Sequence, residues 1–323
     1  MAYTTGTATN YSDLLDKLRA YLVSQGWTTL SYTAGTVSGG GGSLFTRGPG
    51  AGSDKRVFIE IRTLSNLSSA FYGWSIRGAT GYVSGLPEGG NPGVQPTAGF
   101  INLWQNSIPY WIFANDRRFI LVAKVSSSYM PLYGGFFLPW SIPDGYPFPL
   151  FTGATYSELN SYSLSNAAHR FFTDPGGSVS VGGSWVRSPS GVWYPVFNHT
   201  SGGTTDSGTN LGRVAAGYMW PQGCGENDLS STYLDLGTPS SGATSATGMW
   251  DNMVPTRQNE YGLFPTQIHM AIDVPPGTLD GVYHIGGSGI ATEQQITIGA
   301  RTFRLFQNIN RSSGNDFMAI EEI

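Results

Sequence analysis

The sequence predicts a mainly β protein: antiparallel sheets or a sandwich, one N-terminal α-helix, and long Gly/Pro-rich loops. Three observations predict it. Gly and Pro occupy 45 and 19 of 323 positions, aromatics reach 13%, and charged residues are only 12%, about half the usual ~25% share. Several apolar runs alternate with period two, as half-buried strands do. A single stretch carries a helical stripe. Disordered chains are poor in rings and rich in charge, so that class is excluded. A helical bundle needs long Ala/Glu/Lys/Leu runs, which are absent.

The helix comes first. Leu14, Leu15, Leu18, Tyr21 and Leu22 fall on one face. Asn10 is placed to cap it, Asp13 favours the positive end of its dipole, and Gly26 can close it in a left-handed conformation. Trp27 is expected to pack back. The Gly-rich loop Gly35–Ser43 follows, and then strands. Ser43–Arg47 is short, Arg56–Arg62 puts Val57, Ile59 and Ile61 on one face, and Phe71–Arg77 is aromatic. Gly85–Gly99 reads as a loop because Pro87, Pro92 and Pro96 interrupt it.

Tyr110–Val125 reads as a hairpin turned by Asn115-Asp116-Arg117. Its second run, Phe119–Ala123, is continuously apolar, which predicts a central strand buried on both faces. Tyr129–Phe151 is crowded with rings and five prolines. Proline removes donors, so this stretch is expected to be extended and not a central strand throughout. Its rings Tyr129, Tyr133, Phe136, Trp140, Tyr146 and Phe148 are the candidate interface residues, because aromatic and Arg side chains dominate interface cores.

The second half shifts to Gly, Ser, Thr and Trp. Strand-like pieces occur at Val179–Val181, Trp185–Arg187, Val192–Phe197, Tyr218–Trp220 and Ile268–Val274. Gln294–Ile298 and Arg301–Gln307 flank Gly299-Ala300, a Gly-first pair that suits a type II′ hairpin. Phe317–Ile320 is expected to be an edge strand. Residues 1–156 thus form a helix-plus-β domain. Residues 157–323 form a second β region, or extend the first into one continuous domain.

Chemistry is sparse. No nucleotide loop, dinucleotide fingerprint, nucleophile elbow or zincin motif occurs. His169, His199, His269 and His284 lack metal-ligand spacing, and a carboxylate, Glu226, stands near Cys224. We therefore expect no catalytic residues, no metal and no cofactor. Asp228 with Asp235, or Asp273 with Asp280, could form a glycosidase pair only if the fold brought them together. Trp74, Trp104, Trp111, Trp185, Trp193 and Trp220 could stack on sugars or build a core. Net charge is -4 with no basic cluster, which argues against nucleic acid. No run is long enough for a membrane helix, and no secretory leader is read at the start.

Three segments carry a resemblance: Ala8–Thr28, Phe119–Gly153 and Ala300–Glu322. In the second, Tyr133, Pro139, Pro143, Tyr146, Pro147 and Pro149 form a Tyr/Pro pattern, with Trp140 and Phe148 where tyrosine is expected. These segments resemble virion structural proteins of tailed bacteriophages. The resemblance implies a repeated, non-enzymatic subunit of the tail, baseplate or neck, made in the bacterial host cytoplasm. It implies assembly with its own copies and neighbouring virion proteins, and brings no catalytic residues. A glycan-binding adhesin or depolymerase of a tail fibre, with host surface glycan as partner, is the alternative.

Overall fold

The computed structural model describes residues 2–37, 39, 41–52, 55–67, 70–141, 145–154, 168–169, 172–173, 183–196, 261–268, 277–287, 289–307 and 317–322. In chain order they form β1 (Ala2–Ala8), α1 (Tyr11–Ser24), β2 (Thr28–Thr33), β3 (Ser43–Gly48), β4 (Val57–Asn66), β5 (Phe71–Ala79) and β6 (Gly99–Leu103). There follow β7 (Ile108–Ala114), β8 (Arg118–Val125), β9 (Ser128–Phe136), β10 (Leu138–Pro139), β11 (Leu150–Gly153), β12 (Ala168–His169) and β13 (Phe172–Thr173). The last are β14 (Ser184–Arg187), β15 (Trp193–Val196), β16 (Tyr261–Ile268), β17 (Gly277–Gly287), β18 (Gln295–Ile298), β19 (Arg301–Gln307) and β20 (Phe317–Glu322).

The predicted class holds. Among the described residues, three main antiparallel sheets and one helix make up the fold. A five-stranded sheet runs β2-β3-β4-β5-β6, a seven-stranded sheet β1-β7-β8-β9-β11-β14-β15, and a third sheet β10-β17-β20-β19-β18, with β16 beside β17. The seven-stranded sheet lies in the middle. One of its faces packs on α1 and the five-stranded sheet, through Ile112, Phe119, Leu121, Leu132 and Phe136 against Leu14, Leu18, Ile59 and Trp74. The other packs on the third sheet, through Trp111, Phe113, Ile120, Val122 and Tyr133 against Val282, Phe306 and Ile320. β8 therefore alternates between two cores, as its unbroken apolar run predicts. Strands from both sides of the 156/157 boundary share this sheet, since β11 pairs with β14.

The helix follows its sequence signals. The Asn10 side chain accepts hydrogen bonds from the Ser12 and Asp13 amides. Asp13 returns the favour, accepting the Thr9 amide at 2.8 Å. Leu14, Leu15, Leu18 and Leu22 are buried. At the far end the Trp27 amide donates to Leu22 C=O and Gly26 to Val23 C=O. That double closure needs a left-handed residue, and Gly26 supplies it at φ +83°. The Trp27 indole N–H then donates to Asn115 C=O at 2.8 Å, tying the helix exit to the β7–β8 turn.

The C-terminal hairpin also has its predicted form. Ile298 pairs with Arg301 across Gly299-Ala300, and only the first turn residue has a positive φ, +62°, the type II′ arrangement.

One expectation is corrected and another is sharpened. β20 is not an edge strand: it lies between β17 and β19. The Tyr129–Phe151 segment opens with a nine-residue strand, β9, deep in the seven-stranded sheet. Among the described residues β11 pairs with β9 at Tyr133–Phe136, beyond its proline. Pro131 itself stands opposite Val122 of β8. The predicted pieces at Val179–Val181 and Tyr218–Trp220 lie outside the described residues, as does most of Ile268–Val274.

Candidate functional site

Of the rings expected at a subunit contact, all but Trp140 pack within the chain. Tyr129, Tyr133, Phe136 and Tyr146 are buried. Tyr129 packs on Trp111 and Phe306. Tyr133 meets the edge of Phe151 and donates its hydroxyl to Phe136 C=O at 2.7 Å. Phe136 meets Phe148 edge-on, and Phe148 lies half-buried under the Arg187 guanidinium. Tyr146 packs on Phe137 and donates to Arg187 C=O. The reason is the middle position of their sheet. A sheet covered on both faces needs apolar side chains in both directions, and β9 with the segment after it supplies them. Of the six, Trp140 alone is well exposed, at 56%.

The acidic pairs fare differently. Asp280 is held by structure: Asn115 donates to it at 2.8 Å, and Arg118 and Arg117 approach it at 3.5 and 3.9 Å. Asp228, Asp235, Asp273, Cys224, His199, His269 and Trp220 lie outside the described residues, as do the side chains of His169 and His284. Trp74, Trp111 and Trp185 are core residues. Among the described residues, no three His, Cys, Asp or Glu side chains converge as a metal site. No helix among them is long and apolar enough to cross a membrane.

The structure instead builds a groove on the outer face of the five-stranded sheet. Alternation along β4 sends Val57, Ile59 and Ile61 inward, so Phe58, Glu60 and Arg62 point outward. Strand register sets Ser31, Phe45, Glu60 and Arg77 in one row across β2, β3, β4 and β5, and Ser43, Arg62 and Ser75 in the next. The β5–β6 loop then folds back over these rows. Its root is pinned by Thr80 donating to Pro92 C=O and Gln95 to Gly78 C=O, both at 2.9 Å. Its tip is folded by Val83 N–H on the Asn91 side chain, 2.9 Å.

Three contacts join loop to sheet. The Tyr82 ring lies 4.7 Å from that of Phe45, Arg62 pairs with Glu88, and Gly89 N–H donates to the Glu60 carboxylate at 3.3 Å. The groove, open to one side, has a volume of about 300 Å³ and is lined by Ser31, Phe45, Glu60, Arg62, Glu88 and Asn91 among others.

The two carboxylates differ in environment. Burial pushes the Glu60 carboxyl above its ordinary value and the nearby Glu88 charge adds to this, outweighing the Gly89 hydrogen bond and the charges of Arg77 and Arg62. Glu88 shares its charge with Arg62. A partly buried carboxyl, a paired carboxylate, an amide and two serines offer donors and acceptors in close array. Such a set suits a polyhydroxylated ligand.

Sequence reasoning did not single out Glu60 or Glu88. The strand alternation already placed Glu60 and Arg62 on the exposed face. Only the fold-back of a Gly/Pro loop brings Glu88 to them, and no local pattern encodes that. No protein-family model matches the chain, and no curated protein is detectably similar to it in sequence.

Proposed function

We propose that this chain is a structural subunit of a tailed-phage virion, in the tail, baseplate or neck, that works by symmetric assembly and carries out no covalent chemistry. One observation carries the reading: the three segments that resemble virion proteins, far apart in sequence, pack on one another. Trp27, after α1, meets Phe119 of β8 edge-on at 5.7 Å. Phe306 of β19 lies 5.7 Å from Tyr129 of β9 on the other face. The resemblance therefore covers the mutually packed centre of the fold and not scattered surface. Its partners are its own copies and neighbouring virion proteins.

Purified particles test the proposal. A fixed, symmetric copy number by quantitative mass spectrometry and image reconstruction is expected, together with defective particles when the chain is removed. Particles that lack the chain yet assemble, adsorb and infect normally would overturn it.

The groove favours a second reading, a glycan-binding adhesin or depolymerase. Saturable binding of a host-surface oligosaccharide, lost in Glu88→Ala with the fold retained, would support the adhesin. Polysaccharide cleavage abolished by Glu60→Gln would establish the depolymerase.

A further inference from the structure

A sheet edge is a row of unpaired backbone donors and acceptors, and proteins guard such rows with short strands, prolines, charges, bulges or cover. The described edges of this fold are guarded, with one exception. β15 has four residues and includes Pro195, and β18 has four residues. β2 carries a bulge between Thr29 and Ser31, and the pairing of β16 with β17 shifts register between Pro265 and Gln267. β6 is buried along its length except at half-buried Phe100. β1 has none of these devices. It reads AYTTGTA, seven residues without charge or proline, all in unbroken register with β7. Thr5 and Thr7 are exposed. Alternate residues of β1 turn their N–H and C=O away from β7, and among the described residues no backbone partner meets them.

We propose that β1 is an interaction edge that pairs antiparallel with β1 of a second copy, joining two seven-stranded sheets into one. The second copy is favoured by self-complementarity. Pairing centred on Thr5 sets Thr5 against Thr5, Tyr3 against Thr7, and Thr4 against Gly6. The first two are Thr–Thr and aromatic–β-branched pairs, which stabilise neighbouring strands, and no like charges meet. A twofold contact of this kind is the commonest closed arrangement of soluble subunits. One strand pair buries less than the roughly 1,200 Å² of a durable interface, so the dimer is expected to dissociate on dilution. The inference rests on the chemistry of the edge and not on the virion reading.

The full chain in solution tests it. Light scattering across a concentration series should move the mass from 34.6 kDa towards twice that value. Thr5→Lys places like charges opposite each other across the twofold and should hold the chain at the monomer mass with the fold retained, although the Thr5 hydroxyl's hydrogen bond to Tyr110 C=O (2.8 Å) is lost. Residues directly opposite in an antiparallel pair have Cα atoms about 4.5–5.5 Å apart, within disulfide reach. Thr5→Cys in a Cys224→Ser background should therefore cross-link on mild oxidation. A monomer at every attainable concentration overturns the proposal. So does a dimer that survives Thr5→Lys and does not cross-link through Thr5→Cys, since its contact lies elsewhere. Neither result would bear on whether the chain belongs to a virion.

Discussion

The two faces of the seven-stranded sheet are buried by different means. On the face towards α1, aliphatic side chains and indoles close the core, and the indole N–H groups hydrogen-bond to main chain: Trp74 to Tyr11 C=O at 2.9 Å and Trp27 to Asn115 C=O at 2.8 Å. On the face towards the third sheet, an aromatic cluster of Trp111, Phe113, Tyr129 and Phe306 is flanked by charge. β8, apolar without a break from Phe119 to Ala123, carries cations at both ends, and both reach the third-sheet side. Arg118 meets Asp280 at one end, and Lys124 meets Glu293 at 2.7 Å at the other. The two layers on either side of one strand are thus attached by neutral packing on one face and by packing plus charged clasps on the other.

The neutral face should show the larger single-residue loss. Trp74 is fully buried, so Trp74→Ala removes the largest volume in that core and leaves Tyr11 C=O without its donor. The expected cost is about 3–5 kcal/mol by denaturant unfolding. A loss below about 1 kcal/mol would mean that this face repacks freely, and the contrast with the other face would fail.

The charged face should instead reveal itself by coupling. Arg118 has no exposed surface and the Asp280 carboxylate is only 13% exposed. Removing one partner of a buried pair strands the other, so Arg118→Met should cost about 3 kcal/mol. Replacing both with apolar residues, Arg118→Met with Asp280→Leu, should recover most of that loss, because the desolvation of both charges is relieved together. Additive losses in this cycle would show that the clasp is not a coupled unit.

Legibility in the sequence divides along similar lines. Features set by neighbours within a few residues were readable: the Asn10 cap, the Gly26 stop, the Asn115 turn, the alternation of β4 and the Gly299 hairpin. The burial of β8 on both faces was readable too, since an unbroken apolar run has no other stable placement. What depends on distant chain was not. β1 carries three threonines and a glycine with no strong stripe, and it is a strand because β7 pairs with it. Tyr129 and Tyr133 look like interface rings by composition. They are core rings because the third sheet, built mostly from residues beyond 260, covers them. Glu60 was placed on an exposed face, but its partner Glu88 came from a loop whose path no local signal fixes.

The smallest expected effect separates two carboxylates, one at each side of the molecule. Burial alone would raise the Glu293 carboxyl, but hydrogen bonds from Lys124 and Tyr129 and the charges of Lys124 and Arg304 outweigh it and hold it below its ordinary 4.5. Glu60, with burial dominant, lies above 4.5. A carboxylate more acidic in the folded protein than in the unfolded chain stabilises above its unfolded value, and that contribution fades as pH falls through the folded value. The reverse holds for Glu60: the folded protein keeps that proton longer, so stability is lost as pH rises from 4.5 through the higher folded value. Glu293→Gln should therefore lower the melting midpoint at neutral pH and flatten its fall in acid. Glu60→Gln should raise the midpoint at neutral pH and leave it unchanged in acid, where the wild-type carboxyl is protonated in both states. Glu293 and Lys124 are each about one-third exposed, and pairs so exposed contribute less than about 1 kcal/mol, so the comparison needs melting curves of both variants between about pH 3 and 8. Opposite signs at neutral pH are the expected result. Equal signs would mean that the clasp on the third sheet and the groove on the five-stranded sheet do not differ electrostatically in the way their partners imply.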